Sequence, residues 1–263
     1  MDAFAPSPAA PIPQPTPAPV ALAASQSAPA PTLAPVLECR DLTKTYGPNV
    51  ALDRFSVTLP AGRIVGLLGP NGSGKTTLLK MIAGVAHPTS GTVRVGGWEP
   101  GPKSKALVSY LPERPYFARS MRVREMVSYF ADFYPDFDEP MAFDMLRHLG
   151  VDPNAACSSL SKGTVEKVQL ILVMARHAAL YLLDEPIGGV DPAARDYILQ
   201  TIIGGYRPQS TILLSTHLVR DVEAVLDDFI LLRYGTMLLH APVGYVQEKG
   251  TTLDAFFREE FRC

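Results

Sequence analysis

Cysteine is scarce: only Cys39, Cys157 and Cys263 occur in 263 residues, and none forms a C-x-x-C pair. That excludes a disulfide framework and a cysteine-built zinc site, and it fits a reducing compartment. Positive charge is not in excess either. There are 24 Lys and Arg against 26 Asp and Glu, a net charge of −2. A nucleic-acid surface built on basic residues is unsupported, so no nucleic-acid partner is expected. No run reaches the roughly 20 apolar residues of a membrane helix. The nearest candidate, Val168 to Leu183, is interrupted by Arg176 and His177. The chain itself is therefore expected not to span a membrane. No Lys or Arg precedes Arg40, so the start lacks the charged region of a secretory signal. No internal repeat is visible.

Proline, in contrast, is abundant, with 25 residues crowded toward the beginning, as in Pro11-Ile12-Pro13-Gln14-Pro15-Thr16-Pro17. Such density blocks helix and sheet, and the segment has too little apolar bulk to offset the entropy of ordering. Residues 1–35 are expected to form a disordered Pro/Ala-rich tail, with order starting near Val36.

From there the pattern alternates. Leu37 to Leu42 and Ala51 to Leu59 read with period two, as antiparallel strands, and Thr92 to Val95 extends that sheet. Val108 to Leu111 is a strand ending at Pro112. Arg122 to Phe133 and Pro140 to Leu149 carry helical spacing and suggest a helical insert over about 113–159. Then follow a helix from Val165 to His177, a buried strand Leu180 to Leu183, and a helix Ala193 to Ile203. A strand Thr211 to Leu214, a helix Val219 to Leu226 and a hairpin about Tyr234-Gly235 complete the pattern. Alternating strands and helices predict an α/β fold with a mostly parallel sheet covered on both faces. Residues 241–263 end in a helix-like, partly apolar stretch about Leu253 to Phe257, which suits packing on the core or on a partner.

One stretch carries chemistry by itself: Gly69-Pro70-Asn71-Gly72-Ser73-Gly74-Lys75-Thr76-Thr77. It fits G-x-x-x-x-G-K-[ST], lies after a short apolar strand (Arg63 to Leu68) and opens a helix, the context of a phosphate-binding loop. Gly72 and Gly74 let successive N–H groups turn inward onto an anion. Lys75 is placed for the β- and γ-phosphates, and Thr76 for Mg²⁺. A second signature is Leu180 to Leu183 followed by Asp184-Glu185. A buried strand delivers Asp184 to the sheet edge as a metal ligand opposite Thr76. Glu185, one residue on, suits polarising a water.

The full set resembles the nucleotide-binding subunit of ATP-binding cassette (ABC) transporters. Tyr46, the phosphate loop, Tyr110-Leu111-Pro112-Glu113, Leu160-Ser161-Lys162-Gly163-Thr164, Asp184-Glu185, Gly189-Val190-Asp191 and Ser215-Thr216-His217 follow in that family's order from about Val36 to His240. The resemblance implies a P-loop ABC cassette over 36–240: a RecA-like core, an antiparallel β subdomain and a helical insert. It implies ATP and Mg²⁺ as ligands, and ATP hydrolysis by Glu185, His217 and Lys75. Tyr46 would stack on adenine. Ser161 and the Gly163 N–H would cap the γ-phosphate of ATP held by a second subunit, homologous or identical, and Asp191 would sit at that seam. It further implies a separate transmembrane permease and a peripheral position on the cytoplasmic face of the cell membrane. Three departures stand out: Lys162 and Thr164 in the signature, Glu113 where the family has glutamine, and Ile187-Gly188-Gly189-Val190 before Asp191. Glu113 is then either a metal-sensing ligand or a hinge to the insert. The variants are similar to bacterial subunits of small export-type systems. Two other readings stay open: a soluble ABC-type ATPase not coupled to transport, and a regulatory nucleotide-binding module.

Overall fold

The computed structural model describes residues 35–188 and 192–262. The proline-rich tail expected over 1–35, Asp191 and Cys263 thus lie outside the described residues, apart from Pro35. Two sheets organise the rest. β1 (Pro35–Tyr46) pairs antiparallel with β2 (Asn49–Pro60) and with β4 (Ser90–Val95), giving the order β2-β1-β4. The second sheet has six strands in the order β5-β6-β7-β3-β8-β9. These are β5 (Val108–Leu111), β6 (Leu180–Asp184), β7 (Thr211–Thr216), β3 (Ile64–Leu68), β8 (Asp228–Arg233) and β9 (Thr236–Pro242). All neighbours are parallel except β9, which folds back on β8 through the Tyr234-Gly235 turn.

β3, β6 and β7 are buried at every residue. Each has an apolar centre, as strands covered on both faces do, with the polar Asp184, Ser215 and Thr216 at the carboxyl ends of β6 and β7. On one face Leu182 and Val65 pack with Leu78, Leu79 and Met81 of α1 (Lys75–Ile82) and with Leu37 and Phe55 of the antiparallel sheet. On the other, Tyr181, Leu183 and Phe229 pack against α5 (Lys162–Met174) and α6 (Pro192–Gly205).

α5 is buried nearly all round because it works on two sides. Leu170 and Val173 meet the sheet, while Val168, Ile171 and Leu172 meet α3 (Val123–Phe133) and α4 (Glu139–His148). It starts at Lys162, three residues before the predicted Val165, because Ser161 Oγ caps it by accepting from Thr164 N at 3.1 Å. Phe130 is buried in the α3–α4–α5 cluster, and Phe117 packs against it. Tyr116 and Tyr129 are exposed.

A short helix not anticipated from the sequence, α2 (Pro102–Leu107), starts with Pro102 beside a Gly101–Ser104 capping contact of 2.9 Å. Also unanticipated is Arg176, 2% exposed, whose guanidinium donates to both Asp136 carboxylate oxygens at 3.1 Å and to the Ala106 and Val108 carbonyls. It ties the turn between α3 and α4 to the end of β5's lead-in. The predicted helix at Val219 is shorter than expected: α7 (Val219–Val222) tightens into a 3₁₀ turn at Glu223–Val225. Glu223 then accepts from the Leu253 N–H at 2.8 Å and so anchors α9 (Leu253–Glu260). Phe256 of α9 lies edge-on to Phe229, so this last helix packs on the core.

Candidate nucleotide site

The phosphate loop joins β3 to α1, with Gly74 at the helix N-cap. Gly72 and Gly74 have φ of 81° and 105°, the left-handed region expected of them. A Cβ on Gly74 would also stand 2.4 Å from the Ala51 carbonyl, so β2 presses on the loop and only glycine fits. The Tyr234-Gly235 turn braces it from the other side, with Gly235 N donating to Ser73 O at 2.9 Å. The loop, Tyr46, Asn49, Val50, Glu113, Glu185 and Tyr234 line a cavity of about 580 Å³. That lies within the usual range for small-molecule sites. Thr77 opens into it beside Thr76. Tyr46 is half exposed at its rim, with Lys44 Nζ 4.9 Å from the ring centroid.

Lys75 is almost fully buried. Its ammonium donates to Gly69 O at 2.7 Å and Pro70 O at 3.2 Å, and stands 3.3 Å from Glu185 Oε1. Glu185 Oε2 is 3.1 Å from His217 Nδ1. One carboxylate therefore sits between the loop lysine and the histidine. Glu185 reaches that place through a left-handed backbone, φ 49°, unusual for a side-chain-bearing residue. Its N–H donates to the Ser215 carbonyl and Oγ, both at 3.1 Å.

Asp184 is buried at the end of β6. Its Oδ1 accepts from Ser215 Oγ at 2.7 Å and from Thr76 Oγ1 at 3.1 Å, while Oδ2 has no hydrogen-bond partner. Burial raises its carboxyl above the ordinary value. The two hydroxyl hydrogen bonds oppose that shift, and the nearby Glu113 and Glu185 charges add to it. Sequence reasoning assigned Ser215 no role, yet it holds both acidic residues. The available signal was a hydroxyl at a strand end, directly ahead of Thr216-His217.

These features test the expected metal. A buried anion with an open oxygen beside a hydroxyl is a donor set that fits Mg²⁺, a hard oxygen-seeking cation. Among the described residues no group of three or more His, Cys, Asp or Glu forms a closed metal cluster. A cation here would therefore share its coordination with phosphate and water.

Glu113 is exposed and lines both the nucleotide cavity and a second cavity of about 380 Å³. The second cavity is also bounded by Lys162, Gln169, Glu185 and His217. Ser161 and Gly163 lie at the start of α5 and do not line the nucleotide cavity.

The family model of ABC transporters matches residues 52–188, which contain the phosphate loop and Asp184-Glu185. The chain belongs to the ABC transporter family. The Bacillus subtilis (strain 168) ABC transporter ATP-binding protein YtrB is 34% identical over 72% of this chain, and the match spans 65% of YtrB, just under two thirds of its length. The ABC-type transporter ATP-binding protein EcsA of the same organism is 29% identical over 84% of this chain and 92% of EcsA. A solved structure of the ATP-binding subunit of an ABC transporter superposes with a TM-score of 0.78. It is 27% identical, over 86% of this chain and 100% of that one. The two-sheet architecture with a helical segment is thus the ABC cassette fold. No helix among the described residues is long and apolar enough to cross a membrane.

Proposed function

We propose that this ABC protein hydrolyses ATP and drives a separate membrane permease, as a peripheral subunit on the cytoplasmic face. The observation that carries the reading is the Glu185 carboxylate held between Lys75 and His217, one residue from the Thr76–Asp184 pair. The triphosphate would lie on the loop of residues 69–77, with adenine against Tyr46. Lys75, already oriented by two carbonyls, would transfer its charge to the β- and γ-phosphates. Glu185 would accept a proton from water as that water attacks the γ-phosphorus, breaking the bond to the ADP oxygen and giving ADP and phosphate. His217 keeps the carboxylate aimed and offers a contact to the γ-phosphate. Mg²⁺ on Thr76 and Asp184, with Glu113 close by, would neutralise phosphate charge.

Ser161 and Gly163 sit on α5, away from the nucleotide cavity. Their helix N-terminus would serve ATP bound to a second copy or a homologue, with Asp191 at the seam. The exposed Tyr116, Tyr129 and Phe133 on and before α3 support a docking face for the permease. YtrB and EcsA carry transporter names, which supports the same assignment. ATPase assays over a protein concentration series, with and without co-purified membrane partner, test it. Rates rising more steeply than linearly, and a membrane protein retained in detergent, are expected. Absence of hydrolysis under all conditions would leave a regulatory nucleotide binder. Linear rates without a membrane partner would leave a soluble ATPase.

A further inference from the structure

Among the buried polar atoms in and around the site that lack a hydrogen-bond partner, two lie on the same face of the sheet. One is Asp184 Oδ2; the other is the hydroxyl of Tyr110. Tyr110 is the penultimate residue of β5 and pairs in register with Leu182. Asp184 is therefore two residues further along the neighbouring strand, toward the carboxyl edge, on the same side. Tyr110 and Leu182 both belong to the cluster beneath α1, which fixes that side as the one facing the phosphate-loop helix. Asp184 Oδ1 is occupied by Thr76 and Ser215, which leaves Oδ2 as its open oxygen. A buried hydroxyl with no partner is a rare and costly thing to keep, and it calls for a reason.

We propose that Tyr110 is a positioning residue for water in the coordination shell of the cation held at Thr76 and Asp184. A water bound to a divalent cation is a strong hydrogen-bond donor. The phenol oxygen can accept from it and still point its own proton at a carboxylate. Burial keeps the phenol protonated, and the charges of Asp184 and Glu113, both of this site, act in the same direction. Groups around metal ligands orient them and set affinity, and their loss commonly weakens binding 10- to 100-fold.

The inference rests on the magnesium–nucleotide reading of the site, and the experiment separates the two. Mn²⁺ binding is followed by electron paramagnetic resonance with ADP present, in the parent and in Tyr110→Phe, which removes only the oxygen. The parent is expected to bind Mn²⁺, and Y110F to bind it about 10-fold more weakly. ADP affinity in EDTA should be unchanged, and the ligand-free melting temperature equal or higher, since an unmatched hydroxyl has gone. Equal Mn²⁺ affinity in the two proteins would overturn the role of Tyr110 while leaving the site reading intact. A lower ligand-free melting temperature would also overturn it, by showing that the hydroxyl has a structural partner. A parent that binds no Mn²⁺ with ADP would overturn the site reading itself, and this inference with it.

Discussion

Replacing Glu185 by Gln keeps the shape of the side chain and removes its charge. Two consequences follow from its two neighbours. Turnover should fall by about 10²-fold or more, the usual loss when a general base is removed, or at least about 2.7 kcal/mol in the barrier. Nucleotide binding should not fall with it. Glu185 and Lys75 stand 3.3 Å apart with side chains only 11% and 6% exposed. At an effective dielectric of about 20 their gross attraction is about 5 kcal/mol, most of it offset by desolvation. A triphosphate must compete with that carboxylate for Lys75. In E185Q the competition and the repulsion both vanish, while Gly69 O and Pro70 O still hold the ammonium. ATP should bind as tightly or up to about 10-fold more tightly, some 1.4 kcal/mol. Phosphate release at saturating Mg-ATP and equilibrium titration with a fluorescent nucleotide measure the two effects. Parent-rate hydrolysis would remove Glu185 from the chemistry. Weakened ATP binding would show that the ion pair supports the loop instead of competing with substrate.

Asp184→Asn should stabilise the ligand-free protein by about 1 kcal/mol at pH 7, seen as a rise of about 2–4 °C in melting temperature, and abolish Mg²⁺-dependent nucleotide binding. The sign follows from the raised carboxyl: the folded chain holds that proton more tightly than the unfolded chain. Its contribution is therefore full below the ordinary Asp value near 3.8 and is lost as pH rises through the folded value. Stability of the parent relative to D184N should improve on acidification through that window, and a flat difference in urea midpoints would contradict it. Asp136→Ala strands the buried Arg176 and should cost about 3 kcal/mol in chemical denaturation; a loss under about 1 kcal/mol would show that the two carbonyls suffice.

Much of this architecture could be read in advance because its physics is local. Buried parallel strands have apolar centres, and β6 and β7 begin at the expected Leu180 and Thr211, while β3 begins at Ile64, one residue after the expected Arg63. The phosphate loop is a contiguous pattern, so its glycine conformations followed from spacing. What escaped depends on distant partners. Arg176 only marks a break in an apolar run, yet Asp136 and two carbonyls bury it. Phe130 reads equally as face or core until α4 and α5 close over it. Ser215 gains its role only when β7 lies beside β6 and brings its hydroxyl to Asp184. The left-handed backbone at Glu185 has no sequence mark at all, since glutamate ordinarily avoids it.

In the proposed function each reaction chamber is completed by the first turn of α5 from another molecule. A Cβ at Gly163 would meet nothing within 4 Å, and an acidic side chain suits a helix N-terminus, so Gly163→Asp should leave the monomer's fold intact. It would nevertheless set a negative charge against the partner's γ-phosphate. The decisive measurement is the ATPase rate of G163D at a concentration where the parent turns over fully. The account predicts a loss of at least about 10-fold, the effect of about 1.4 kcal/mol of charge repulsion, with ATP binding to the isolated chain unchanged. An unaltered rate would contradict it.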